Sequence, residues 1–344
     1  MFWRCLLRMR PIGDRPPWRS SRCLCVSVAN HDVFLFRIRP IVAIYEQSYQ
    51  PWSGRYASRA GRIWAMVRLE ITLPFQNVWV LVVVLAAFAL VMAWLLLLFI
   101  AASSAGQSPA ASAAINSVTG NWLYREGFYN FPASVGDGNT LSLFSMILMF
   151  LSATVGSSLI SRDLKYNALL MYFSRSITRA DYLAGKFLTL ALFLLFVTLV
   201  PGLLLFAGSF GIQADKLTAG QRLADLLGIV LHSLVLVVPM SAAVLAFSSL
   251  TKRPYLAAIL WATLFFSSWI FSGVLYSLLH KEWCLMVSWM NLTVHLGNLC
   301  YSQHKNPKWG LTTDWRVPFS ILSVITIGSF WIVWRRIRSV EGGE

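Results

Sequence analysis

The sequence predicts an all-α integral membrane protein, with six transmembrane helices, an N-terminal interfacial helix and both termini cytoplasmic. Three observations carry this. The first is composition: of 344 residues, 57% are hydrophobic and 12% charged, and mean hydropathy is +0.62. A soluble domain carries about a quarter of its residues charged. The second is a set of six apolar runs, at about 78–101, 141–159, 187–208, 224–250, 255–278 and 318–334. Each approaches the ~20 residues that cross a ~30 Å hydrocarbon core as a helix. None has an Asp, Glu, Lys or Arg at its centre, so each backbone can satisfy itself in lipid. The third is charge asymmetry: with six spans, 22 of the 29 Lys and Arg fall on one face and 7 on the other. Basic residues mark the cytoplasmic side, which places both ends of the chain and the 161–187 segment there.

Taken in order, residues 1–44 are rich in Arg and Pro and lack both an apolar run of signal-peptide length and a small-residue cleavage pattern. They read as a disordered basic arm or an over-extended start, and 45–341 reads as the membrane domain. In the interfacial helix predicted over 55–69, Arg55, Arg59 and Arg62 recur at helical spacing opposite Ala60, Ile63, Trp64 and Val67. Pro74 then marks the bend into the first span. The first outward loop carries an aromatic patch at Trp122, Tyr124, Phe128, Tyr129 and Phe131. Pro201, beside Gly202, and Pro239 predict kinks in the third and fourth spans. Ser152 and Gly156 form a small-xxx-small pair suited to close helix packing. His232 is the one ionisable residue well inside a span, and such residues are functional candidates; a neutral His bonded to a neighbouring helix is the plainer alternative. The stretch from Leu285 to Tyr301 is apolar but interrupted by Asn291, His295 and Asn298, and reads as a re-entrant or interfacial segment. Asn291-Leu292-Thr293 is a formal glycosylation sequon. Cys284 and Cys300 share an outward loop and could form a disulfide or remain two thiols.

Several chemistries are excluded. There is no phosphate-binding G-x-x-x-x-G-K-[ST] loop, since Gly185-Lys186 lacks the preceding glycines. There is also no H-E-x-x-H, no G-x-S-x-G, no paired intramembrane acids and no plausible metal-ligand spacing. A basic pI of about 10.0 does not indicate nucleic-acid binding, because the charge is spread along the margins of the spans. If the protein moves something, the energy must come from elsewhere.

The 161–187 segment is the most informative. It reads SRDLKYNALLMYFSRSITRADYLAGKF: both charge signs flank an apolar core over 168–173. A solvated positive-inside loop accounts for its Arg and Lys, but not for Asp163, Asp181 and that core. The run of Asp163, Ala168-Leu169-Leu170, Phe173-Ser174-Arg175-Ser176-Ile177-Thr178-Arg179 and Asp181-Tyr182-Leu183-Ala184-Gly185-Lys186 resembles the membrane subunit of ABC type-2 exporters. The chain ends, 45–56 and 335–341, look like that family's as well. Ser176 stands where the family commonly has proline, which would fix the turn more rigidly.

The resemblance implies a permease that carries no cofactor and no metal, with ATP and Mg bound by a separate ABC ATP-binding subunit. It implies that Asp163, Leu169, Arg175, Ser176, Arg179 and Asp181 belong to a coupling element seated on that subunit. A second permease chain, identical or not, completes the transporter in a cell inner (plasma) membrane, with lipid around it. Charge reversal at Asp163 or Arg179 is expected to weaken docking without unfolding the spans. Two other readings compete: an ATPase-independent carrier or channel, which should show membrane-embedded charge, and a non-transporting scaffold. A neighbouring gene for a Walker-motif ATPase would favour the first reading over both.

Overall fold

A computed structural model describes residues 58–104, 142–173, 177–213, 219–301 and 314–341. The arm over 1–44, the aromatic patch of the first outward loop, Arg55, Arg175 and Ser176 lie outside the described residues. All regular structure among the described residues is helical. In chain order it comprises α1 (Arg59–Ile71), a 3-10 turn at Pro74–Gln76, α2 (Val78–Ser104), α3 (Leu143–Lys165) and α4 (Ala168–Phe173). There follow α5 (Arg179–Gln213), α6 (Ala219–Leu250), α7 (Pro254–Leu279), a second 3-10 segment at Glu282–Val287, α8 (Trp289–Cys300) and α9 (Arg316–Glu341). Six of these, α2, α3, α5, α6, α7 and α9, are long and apolar enough to cross a membrane.

Each start has a local cause. Ser58 caps α1, its hydroxyl accepting from the Gly61 N–H at 3.2 Å, and Ser142 does the same for α3 through Ser145. Between α1 and α2 the chain turns through the 3-10 turn, and the Asn77 side chain then accepts from the Trp79 N–H at 3.1 Å. The Pro74 bend therefore lies where the sequence places it. Helices α5 and α6 run through Pro201 and Pro239 without interruption.

Helix α6 is the central element, packed against α3, α5, α7, α8 and α9. Its approach to α3 and α5 is close: a Cβ on Gly156 would lie 2.6 Å from Val244 and 2.7 Å from Leu190. Polar links cross the same interface. The Ser248 hydroxyl of α6 donates to the Ser157 carbonyl at 2.8 Å and accepts from the N–H groups of Ile160 and Ser161. Trp261 of α7 donates to Ser152 at 3.1 Å. By contrast α7 leaves Ile259, Phe271, Val274 and Leu278 exposed, a face fit for lipid because its backbone is internally bonded.

The segment ahead of α9 is packed against α6, α7 and α9. Helix α8 has 12 residues, about 18 Å, which cannot span. It nevertheless buries Trp289, Met290, Leu292 and Leu296. Asn291 is buried too, its amide donating to the Leu285 carbonyl at 3.1 Å. The sequon is therefore not available to a glycosylating enzyme in the folded chain. Nor is the disulfide formed: Cys284 and Cys300 are both free thiols, Cys284 buried and Cys300 donating to the Leu296 carbonyl at 3.4 Å. Burial pushes the Cys300 thiol up to about 11, which leaves it protonated and unreactive.

Candidate functional site at the base of the helices

The largest departure from the sequence reading concerns the 161–187 segment. Most of it is helix: α3 continues to Lys165 and α5 begins at Arg179. The connection between them is short and holds the six-residue α4. Helix α3 ends where Tyr166 caps it and Asn167 takes a φ of 53°, a left-handed conformation that Asn tolerates better than most residues. Helix α5 begins with a reciprocal cap: the Asp181 N–H donates to the Thr178 hydroxyl and the Thr178 N–H to the Asp181 carboxylate, both at 3.3 Å. The spans thus project past the apolar runs, and their polar ends meet.

There α1, α3 and α5 are joined by a buried ionic cluster. The Lys186 ammonium of α5 lies 2.5 Å from Glu70 of α1 and 2.7 Å from Asp163 of α3. Tyr182, one turn before Lys186, donates its hydroxyl to Asp163 at 2.7 Å. The rings of Tyr182 and Tyr172 lie 5.3 and 5.9 Å from the ammonium, close enough for cation–π attraction. Lys186 is 2% exposed and Glu70 7%. Such a charge is tolerable only when paired and hydrogen-bonded. Burial pushes the Glu70 carboxyl above the usual glutamate value, against the pull of Lys186. The Tyr172 phenol of α4 is also raised, chiefly by burial.

A second pair closes the outer edge. The Arg59 guanidinium, at the start of α1, meets the Asp181 carboxylate at 2.5 Å. Arg59 is largely exposed, so screening leaves this pair little net stability; its effect is to fix where α1 begins. Between the two pairs, Gly185 admits Met66: a Cβ there would be 2.7 Å from the Met66 sulfur.

The structure therefore divides the residues that the sequence treats as one surface. Asp163 and Asp181 are held by Lys186 and Arg59, Leu169 is buried, and Arg179 is half-buried. Reversing Asp163 would set a cation against Lys186, so the expectation that the fold would not notice it is withdrawn. The inward face of α1 is also rotated from the predicted one. Ile63 and Val67 face in with Met66 and Glu70, whereas Ala60 and Trp64 (56% exposed) face out. Sequence reasoning missed Glu70, Tyr172 and Tyr182. A lone acid on the apolar side of an amphipathic helix was the available signal for the first.

The intramembrane candidate, His232, is buried in α6 beside α8. Its ring stands edge-on to Tyr301, with centroids 5.6 Å apart, and fills the space that a side chain at Gly297 would need. This places His232 in helix packing. Among the described residues no group of three or more His, Cys, Asp or Glu could hold a metal ion.

Comparison with curated proteins finds no match. The family model for the ABC-2 family transporter protein does match, over residues 64–296, more than half of the chain. That match runs from within α1 into α8 and takes in the ionic cluster and α4. The chain belongs to the ABC-2 transporter family, and is a multi-pass membrane component of the transporter type.

Proposed function

We propose that this protein is the permease subunit of an ATP-driven ABC exporter, and that α4 with its flanks couples it to a separate ATP-binding subunit. ATP and Mg would be held and hydrolysed in that partner; this chain would form the transmembrane pathway with a second permease copy or a related chain. The observation that carries the reading is the ionic cluster. Glu70, Lys186 and Asp163 join α1, α3 and α5 at the very end from which α4 projects, so a push on α4 reaches three helices at once. A buried ion cluster is a poor source of net stability but can specify one arrangement, which suits an element that transmits displacement.

Within this reading Asp163, Asp181 and Leu169 position the element. Arg175, Ser176 and Arg179 would contact the partner. The positive-inside bias supports a cytoplasmic location for that contact and for both termini, and the plasma membrane is the site proposed with it. Packing around His232 gives no support to an ion-coupled carrier.

The test is co-purification of the tagged full chain in mild detergent, followed by mass spectrometry. A stoichiometric Walker-motif ATPase is expected, and it should be lost when residues 166–178 are replaced by a neutral linker. Recovery of the chain alone, under conditions that preserve other membrane complexes, would contradict the proposal.

A further inference from the structure

Beside the ionic cluster lies a crevice of about 120 Å³, between the end of α1, the start of α2 and the end of α3. Val80 and Leu159 give it apolar walls, and Glu70, Asp163, Lys186 and Arg162 give it charge. Three features define what it would accept. Glu70 and Asp163 share a single ammonium, which leaves one negative charge uncompensated. Glu70 Oε1 is engaged by Lys186, but Oε2 is buried with no hydrogen-bond partner, and a buried acceptor left unmatched is costly. Arg162 is exposed and makes no ion pair among the described residues.

An acidic interior with a basic, exposed Arg beside it suits a ligand that leads with an ammonium and trails a phosphate. Its depth suits one too, because the crevice lies where α1 meets the ends of apolar spans, the level of lipid headgroups. We propose that this crevice binds the headgroup of a phospholipid carrying a primary ammonium, with the ammonium donating to Glu70 Oε2 and the phosphate on Arg162. A second ammonium would also oppose the burial that raises the Glu70 carboxyl. A choline headgroup has no N–H to donate and leaves Oε2 unmatched. The inference rests on the transmembrane placement of α2, α3 and α5 and is independent of ATPase coupling.

The test uses the full chain, delipidated in mild detergent and titrated with phosphatidylethanolamine or phosphatidylcholine of the same acyl length, with native mass spectrometry counting retained lipid. About tenfold stronger retention of phosphatidylethanolamine is expected, the factor that a charge-assisted hydrogen bond supplies. Glu70→Gln should abolish the discrimination, and Arg162→Gln, at an exposed position, should weaken both lipids. Equal retention by the unmodified chain, or a preference for phosphatidylglycerol, overturns the proposal whether or not the variants fold. Persistence of the preference in a folded Glu70→Gln variant overturns the assignment to Glu70, and undiminished binding by Arg162→Gln overturns the phosphate contact. Displacement by soluble phosphoethanolamine at matching concentration would show a free headgroup ligand and overturn the lipid. Loss of a co-purifying ATPase with the lipid preference intact would count against the coupling reading alone.

Discussion

Lys186 is the residue on which the base of the molecule depends. Its ammonium sits between Glu70 and Asp163, and removing it leaves two carboxylates facing each other in a buried space. Breaking a buried pair from one side costs about 3–5 kcal/mol. Lys186→Met is therefore expected to lower the melting temperature of the detergent-purified chain sharply. The double change Lys186→Met with Glu70→Met should recover part of the loss, because apolar replacement of a whole ion pair is often tolerated. A single change as mild as a surface substitution would show that the cluster is not paired as described. Glu70 adds a pH signature. Its folded carboxyl is raised above the usual value, so its contribution is fully present below the ordinary glutamate range and is lost as pH rises through the folded value. The stability advantage of the unmodified chain over Glu70→Gln should accordingly shrink from pH 4 towards pH 7, in steps read by thermal unfolding. A growing advantage would contradict the direction of the shift.

At the scale of elements, small residues decide how closely the spans meet. Gly156 faces Val244, whose branched side chain has little freedom to yield. Gly156→Val should cost about 1–3 kcal/mol through overpacking. Gly297 and His232 form a reciprocal pair, since the imidazole occupies the place of a Cβ on Gly297. Gly297→Ala alone should destabilise, and the penalty should fall in a His232→Ala background, a coupling that a double-mutant cycle measures. Additive effects would mean that α8 does not rest on α6 through this contact.

The same scale shows what was legible in the sequence. The six spans were, because apolar length alone identifies them. So was the bend at Pro74, where proline's fixed geometry favours a turn. The extension of α3 and α5 past their apolar runs was not. Arg162, Asp163, Lys165, Asp181 and Lys186 interrupt the hydropathy run, but a helix continues through polar residues when its ends are capped. The partnership of Glu70 with Lys186 was also hidden, since the two lie 116 positions apart and only the packing of α1 on α5 brings them together. Asp163 and Asp181 stood out correctly as unusual for a solvated loop. Their partners explain why: each carboxylate is consumed by a cation of another helix.

For the whole molecule, the proposed topology has six spans that bring the end of α9 back to the side on which α1 lies. The basic margins then converge on that side, together with α4 and the ionic cluster. In that topology α7 runs away from it, which puts Leu278, near the end of α7, on the opposite side. The proposed contact between α4 and an ATP-driving subunit is tested most directly by crosslinking from α4 itself. A photo-reactive side chain placed at Met171, which is 69% exposed on α4, is activated in native membranes, with the same probe at Leu278 as the distal control. Capture of a Walker-motif ATPase from Met171 and not from Leu278 is the predicted result. Capture from neither position, or equally from both, would contradict the account.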